Sequence, residues 1–172
     1  MKFILIDKNK ELIDKAQEML KTVDTNFEVT AVHSDIKKYL DKKDTIIATA
    51  SNPSFTMGGG LDAILKNGLG IDETKLREGK VYNNKVLPII SVDAELKSTE
   101  QIILRALALL FYRDNDNNTY LFTGLGTSIG GLDIDSFIKV LKAVLTGDMS
   151  KYADVYFGES CEFGGSCEYG EC

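Results

Sequence analysis

The segment Thr45-Ile-Ile-Ala-Thr-Ala50, running on through Ser51-Asn-Pro-Ser-Phe-Thr-Met-Gly58-Gly-Gly60-Leu-Asp62-Ala-Ile-Leu65, sets how the rest of the chain is read. It opens as a short apolar run of the kind that makes a buried strand. The consecutive glycines Gly58, Gly59 and Gly60 then let the backbone approach a ligand closely and point several N–H groups into one concavity. They lead into a short helix, whose N-terminal dipole favours negative charge. Asn52 stands where the strand ends, and Asp62 falls in the first turn of the helix. A flexible Asn-Pro turn and an acid that merely complements the dipole would account for each feature singly. Their combination between a buried strand and a helix points to an anion held by backbone donors.

Outward from this segment the chain alternates strand and helix. Lys2-Phe-Ile-Leu-Ile6 is a second apolar run, and Leu12, Ile13, Ala16, Met19, Leu20 and Val23 recur as one helix face. Further strands are expected at Phe27–Val32, Val86–Val92, Tyr120–Phe122 and Asp154–Phe157, with Pro88 marking an edge strand or a strand start. Ser98-x-x-Gln101 is a capping-box pattern opening a helix apolar on nearly every face, from Ile102 to Phe111, and so mostly buried. The last clear helix face runs from Ile134 to Leu145 and is stopped by Gly147. This alternation predicts an α/β sheet covered on both faces. In such sheets ligands bind beyond the carboxyl ends of the strands. The loops that qualify follow Ala50 and Phe122, and both are rich in glycine.

The second loop reads Thr123-Gly124-Leu-Gly126-Thr-Ser-Ile-Gly130-Gly131-Leu. It is not a Rossmann fingerprint, because Ile129 holds the third glycine position and the glycine comes one residue late. No G-x-x-x-x-G-K-[ST] sequence is present, which excludes a P-loop NTPase. The loop still offers glycine N–H groups and the Thr127 and Ser128 hydroxyls to a phosphate. The alternative is a tight connection rich in left-handed residues.

Composition bounds the remaining possibilities. The 172 residues fit one domain with a tail, and 20 Lys+Arg against 26 Asp+Glu give a net charge of −6. That balance argues against a nucleic-acid face, which needs clustered cations, but not against a small anion held by backbone dipoles. No apolar run reaches the roughly 18–20 residues of a membrane-spanning helix. No cleavable signal is visible ahead of the strand at Met1–Asp7, so a soluble cytoplasmic protein is expected. Gly158–Cys172 differs in kind: it holds Cys161, Cys167 and Cys172 and several Glu, with no basic residue. It reads as a flexible acidic tail with reduced thiols. The alternative is intermolecular zinc or disulfide pairing. His33 at a strand end reads as structural or solvated. Asp114-Asn-Asp116-Asn-Asn118 lacks the glycine and the glutamate of a calcium loop and reads as a turn. Tyr156 or Phe157, at the end of the last expected strand, is a candidate to stack on a base or sugar.

Taken in order and separation, the two loops resemble the macrodomain family, modules that bind ADP-ribose. Ile46-Ile-Ala-Thr-Ala-Ser-Asn52, then Gly58-Gly-Gly60, a hydrophobe and Asp62 is similar to the family's first signature. Gly124-Leu-Gly126-Thr-Ser-Ile-Gly130-Gly is similar to its second, and Ser34-Asp35-Ile36 to its Gly-Asp-Ile segment. The resemblance spans residues 1–157 and looks like the short phage and bacterial members. It implies a three-layer α/β/α fold with a mixed, about six-stranded sheet and ADP-ribose along its crest. By the same resemblance Asp35 accepts from the adenine amino group and the Ile36 backbone touches the ring. Gly58, Gly59 and Gly60 clasp the diphosphate from one side, and Gly124, Gly126, Thr127, Ser128, Ile129 and Gly130 from the other. Asn52 bonds the distal ribose. Asp62 stands where hydrolytic macrodomains carry an acid that places or activates water; the helix dipole is expected to keep it ionised and limit it to orienting that water. The family's hydrolases commonly carry a His in the following helix, where this chain has Leu65 and Lys66, and another branch has an acid where Gly130 stands. The expected activity is hydrolysis at the distal ribose of an ADP-ribosylated protein, O-acetyl-ADP-ribose or ADP-ribose 1″-phosphate. A non-catalytic module that reads or sequesters ADP-ribose is the alternative. No cofactor, metal, nucleic acid or membrane is expected to take part.

Overall fold

The structure, a computed structural model, describes residues 1–150. Strand β1 (Lys2–Asp7) leads into helix α1 (Lys10–Thr22), which starts where the Asn9 side chain accepts from the Leu12 N–H at 3.2 Å. Then come β2 (Glu28–His33), β3 (Thr45–Ser51), α2 (Gly60–Leu69), β4 (Val86–Ile90), α3 (Glu100–Phe111), β5 (Thr119–Phe122) and α4 (Ile134–Thr146). The fold is α/β, with a five-stranded sheet in the order β2-β1-β5-β3-β4. All of its pairings are parallel, with Leu5 opposite Phe122 and Ile47 opposite both Leu121 and Val86. The further strand expected at Asp154–Phe157, Phe157 itself and the cysteine-bearing tail lie outside the described residues. Among the described residues no helix is long and apolar enough to cross a membrane.

Strand alternation sorts the apolar side chains onto two faces. Phe3, Leu5, Ile46, Ala48, Tyr120 and Phe122 join α1, α3 and α4 in one cluster. Ile6, Ile47, Val86 and Leu121 point the other way, onto Leu65 of α2 and the short turn that begins at Ile36. Each fully buried aliphatic side chain contributes roughly 1.5–3 kcal/mol, so both faces hold the sheet. Among the described residues Pro88 does lie in an edge strand: the one strand β4 pairs with is β3. On its outer side the Gly79 N–H donates to the Pro88 carbonyl at 3.0 Å and the Ile90 N–H to Glu78 at 3.1 Å, so the edge is covered.

Two local expectations are corrected. The cap of α3 is Thr99, not Ser98: the Thr99 hydroxyl accepts from the Ile102 N–H at 3.2 Å. Ser98 cannot serve because its hydroxyl donates to the Ser91 carbonyl and its N–H to the Gly130 carbonyl. The fourth strand ends at Ile90 rather than Val92, which leaves Ser91 and Val92 to the loop.

The strand order positions the site. The chain steps outward from β1 to β2 on one side and from β3 to β4 on the other, and β5 fills the gap between β1 and β3. Connections on the two sides of that gap diverge, which opens a crevice at the carboxyl ends of the central strands.

Candidate functional site

A cleft of about 590 Å³ lies in that crevice. Asp7 at the end of β1, Ala50 near the end of β3, Asn52 just after it, Ser91 after β4 and Thr123 after β5 line the cleft. Both glycine loops line its walls. Asp35, Ile36, Asn52, Gly58, Gly59, Gly60 and Asp62 come to it from the first half of the chain, and Gly124, Gly126, Ser128, Ile129 and Gly130 from the second. Among the described residues one expected residue does not arrive. Thr127 lies off the cleft because its hydroxyl donates to the Gly124 carbonyl at 2.6 Å and so closes its own turn. Phe157 lies outside the described residues.

The two loops differ in what their glycines are for. A Cβ built on Gly58, Gly59 or Gly60 meets no atom within 4 Å. Gly59 has φ −152°, ordinary extended backbone, and only Gly60, with φ +54°, needs the left-handed region. In the second loop a Cβ on Gly124 would strike Leu12, and one on Gly126 or Gly130 would strike Ser98. Packing therefore demands the second set and leaves space over the first. The N–H groups of Gly58, Gly59 and Gly60 donate to nothing among the described residues, and neither do those of Ser128, Ile129 and Gly130 across the cleft. Unpartnered backbone donors lining a cleft are the groups an anion would need.

Asn52 is used inside its own loop. Its carboxamide nitrogen donates to the Thr56 hydroxyl at 2.8 Å, and its oxygen accepts from the Ser54 N–H at 3.0 Å. Asp35 likewise caps a turn, accepting from the Lys37 N–H at 2.9 Å. Asp7, a residue that sequence reasoning missed, accepts from the Gly124 N–H at 3.0 Å and from the Asn9 N–H at 2.8 Å. It ties the end of β1 to the second loop. The strand-end rule applied to β1 would have found it.

Asp62 is half-buried, and its carboxyl is pushed up to about 7, first by burial and second by the charge of Glu73. Burial thus works against the helix dipole, which alone would favour the ionised carboxylate. Glu73 is held below the usual carboxylate range by the Met57 N–H and by Lys66. On the opposite lip, Leu96 and Ile129 remain 47% and 72% exposed although both are large and apolar. Leu96 adopts φ +62°, an uncommon backbone for leucine. Ser91 is 1% exposed, and its Oγ has no hydrogen-bond partner among the described residues, an arrangement that costs about 1–3 kcal/mol. Strain, exposed apolar side chains and an unsatisfied hydroxyl converge on one cleft, as they do at binding sites.

Of the remaining candidates, the His33 ring Nε2 lies 3.0 Å from the Lys8 carbonyl at an exposed position, a structural role. Asp116 accepts from the Asn118 N–H at 2.9 Å and from the Tyr120 hydroxyl at 2.5 Å, so the acidic segment is a turn leading into β5. No family model matches the sequence and no curated protein matches it, so the geometry of the cleft is what speaks to its function.

Proposed function

We propose that the chain has a macrodomain-like, three-layer α/β/α fold and binds ADP-ribose in this cleft, hydrolysing an ADP-ribosyl derivative at the distal ribose. The observation that carries the reading is the set of six N–H groups on the two opposed loops, those of Gly58, Gly59, Gly60, Ser128, Ile129 and Gly130, that donate to nothing among the described residues. Six neutral donors suit a diphosphate, whose charge they stabilise without lysines. The adenine end would lie by Asp35 and Ile36, and the exposed flanks of Leu96 and Ile129 would cover apolar ligand surface. At the other end Asp62 accepts a proton near neutrality. Water attacks the linkage at the distal ribose, its proton passes to Asp62, and the departing group leaves with that proton. The glycine loops hold the substrate in register for this attack.

One observation favours the second reading, a non-catalytic reader of ADP-ribose: Asn52 spends its side chain on Ser54 and Thr56. Calorimetry with ADP-ribose beside ADP, AMP and NAD tests the shared claim. Selective binding of ADP-ribose is expected, and no heat from any of the four overturns it. Product release from ADP-ribosylated protein or ADP-ribose 1″-phosphate then separates enzyme from reader.

A further inference from the structure

Glu73 stands outside both glycine loops, in a short 3-10 turn, Glu73–Lys75, beyond the end of α2. Its carboxylate nonetheless reaches both sides of the first loop. Oε1 accepts from the Met57 N–H at 2.5 Å, immediately before Gly58. The same oxygen lies 2.9 Å from Lys66 Nζ, one turn past Asp62 on α2. The Met57 side chain is buried with Leu65, Ile71 and Leu76, so the clamp rests on packed apolar residues flanking the Glu73 turn. A half-exposed Lys–Glu pair alone contributes little. The main-chain N–H sets this one apart, because a carboxylate holding an amide is a charge-assisted bond.

We propose that Glu73 is a positioning residue of the site, clamping the start of the glycine loop against α2 and holding a fixed negative charge behind Asp62. The role rests on the ADP-ribose reading above and deepens it. Three successive glycines have the most backbone freedom to lose on ordering; fixing the start of the run lowers what the ligand must order. The charged groups around Asp62 are Lys66 on its own helix, Asp72, Glu73 and Lys75 on the turn, and Asp7, Lys8, Asp35 and Lys37 along the cleft. Of these, Glu73 is the charge that moves the Asp62 proton equilibrium, alongside burial. Glu73 itself stays ionised because the Met57 N–H and Lys66 favour its charged form. Paired carboxylates whose surroundings push them apart divide the labour: one keeps its charge, the other exchanges a proton near neutral pH.

The test is a carboxyl-carbon NMR titration of the full chain without nucleotide, with hydrogen exchange read at the Met57 amide. Wild-type Asp62 should titrate near 7. Glu73→Gln keeps an acceptor for the Met57 N–H but removes the charge, so the Asp62 midpoint should fall by roughly 0.5–1 pH unit with Met57 still protected. Glu73→Ala should lower the midpoint equally and speed Met57 exchange at least about tenfold. Should the Glu73 variants fail to fold, Lys66→Met reads the same clamp with opposite sign, since an uncompensated Glu73 raises the Asp62 midpoint. An unmoved midpoint in Glu73→Gln, or in Lys66→Met where that variant is the one available, overturns the proposal. ADP-ribose calorimetry on the same samples separates the two failures. A shifted midpoint without wild-type binding sinks the ligand reading and leaves the clamp; binding with an unmoved midpoint does the reverse.

Discussion

The glycine loops after β3 and β5 look alike as strings of residues and are opposites as structures. Gly124, Gly126 and Gly130 are small because Leu12 and Ser98 press on them. Gly58, Gly59 and Gly60 have no such neighbour, and Gly60 alone needs glycine for its backbone. The protein's own packing explains the second loop, whereas packing leaves the space over the first loop open. A filled space thus accounts for Gly124, Gly126 and Gly130, while Gly58 and Gly59 are left without a packing reason.

The largest effect expected is on chemistry at the open loop. Asp62→Asn keeps size and can still accept a hydrogen bond, so ADP-ribose affinity should change less than about tenfold. Turnover of ADP-ribose 1″-phosphate or ADP-ribosylated protein should fall by roughly 10²–10⁴, the usual worth of a general base. A fall of less than tenfold in steady-state rate would make Asp62 a helix-start acid and favour the reader.

Next comes the packed loop. A Cβ at Gly130 would sit 2.7 Å from the Gly126 carbonyl and 2.8 Å from Ser98 Cβ. Gly130→Ala should cost about 2–4 kcal/mol in urea unfolding, since backbone and a buried turn must shift. A loss below about 0.5 kcal/mol would mean that this loop is as open as the first.

The smallest effect is thermodynamic and depends on pH. Asp62 binds its proton more tightly folded than unfolded, its carboxyl moving from 3.8 to about 7. Stability from this group is thus present at acid pH and lost as pH rises between those values. Asp62→Asn removes that loss, so relative to wild type it should gain about 1–2 kcal/mol at pH 8, after discounting for solvent screening, and little near pH 4. Parallel stability curves for the two proteins would show that burial does not shift this acid.

Much of the fold was legible because its signals are local. Apolar runs such as Lys2–Ile6 and Thr45–Ala50 are strands whichever partner they find, and Gly147 ends α4 in the left-handed conformation its position suggested. The cap of α3 was misplaced by one residue because Ser98 is claimed by Ser91 and Gly130, partners distant in sequence. Asp7 was overlooked for the same kind of reason: its bond to Gly124 exists only because β5 inserts beside β1. At the site, residue types were readable and their states were not. The Asp62 proton depends on Glu73, which arrives only after the left-handed Gly70 turns the chain back at the end of α2.

Gly59→Val puts the open loop to its most direct trial, because extended backbone and free space accommodate valine at no cost beyond that of a poorer helix cap, about 1 kcal/mol. ADP-ribose titrated calorimetrically into wild type and into this variant, each shown folded by its thermal transition, should give a saturable heat in the first and an affinity at least tenfold weaker in the second. Equal affinities in the two folded proteins, or no binding by the wild type, would contradict the assignment of this cleft to ADP-ribose.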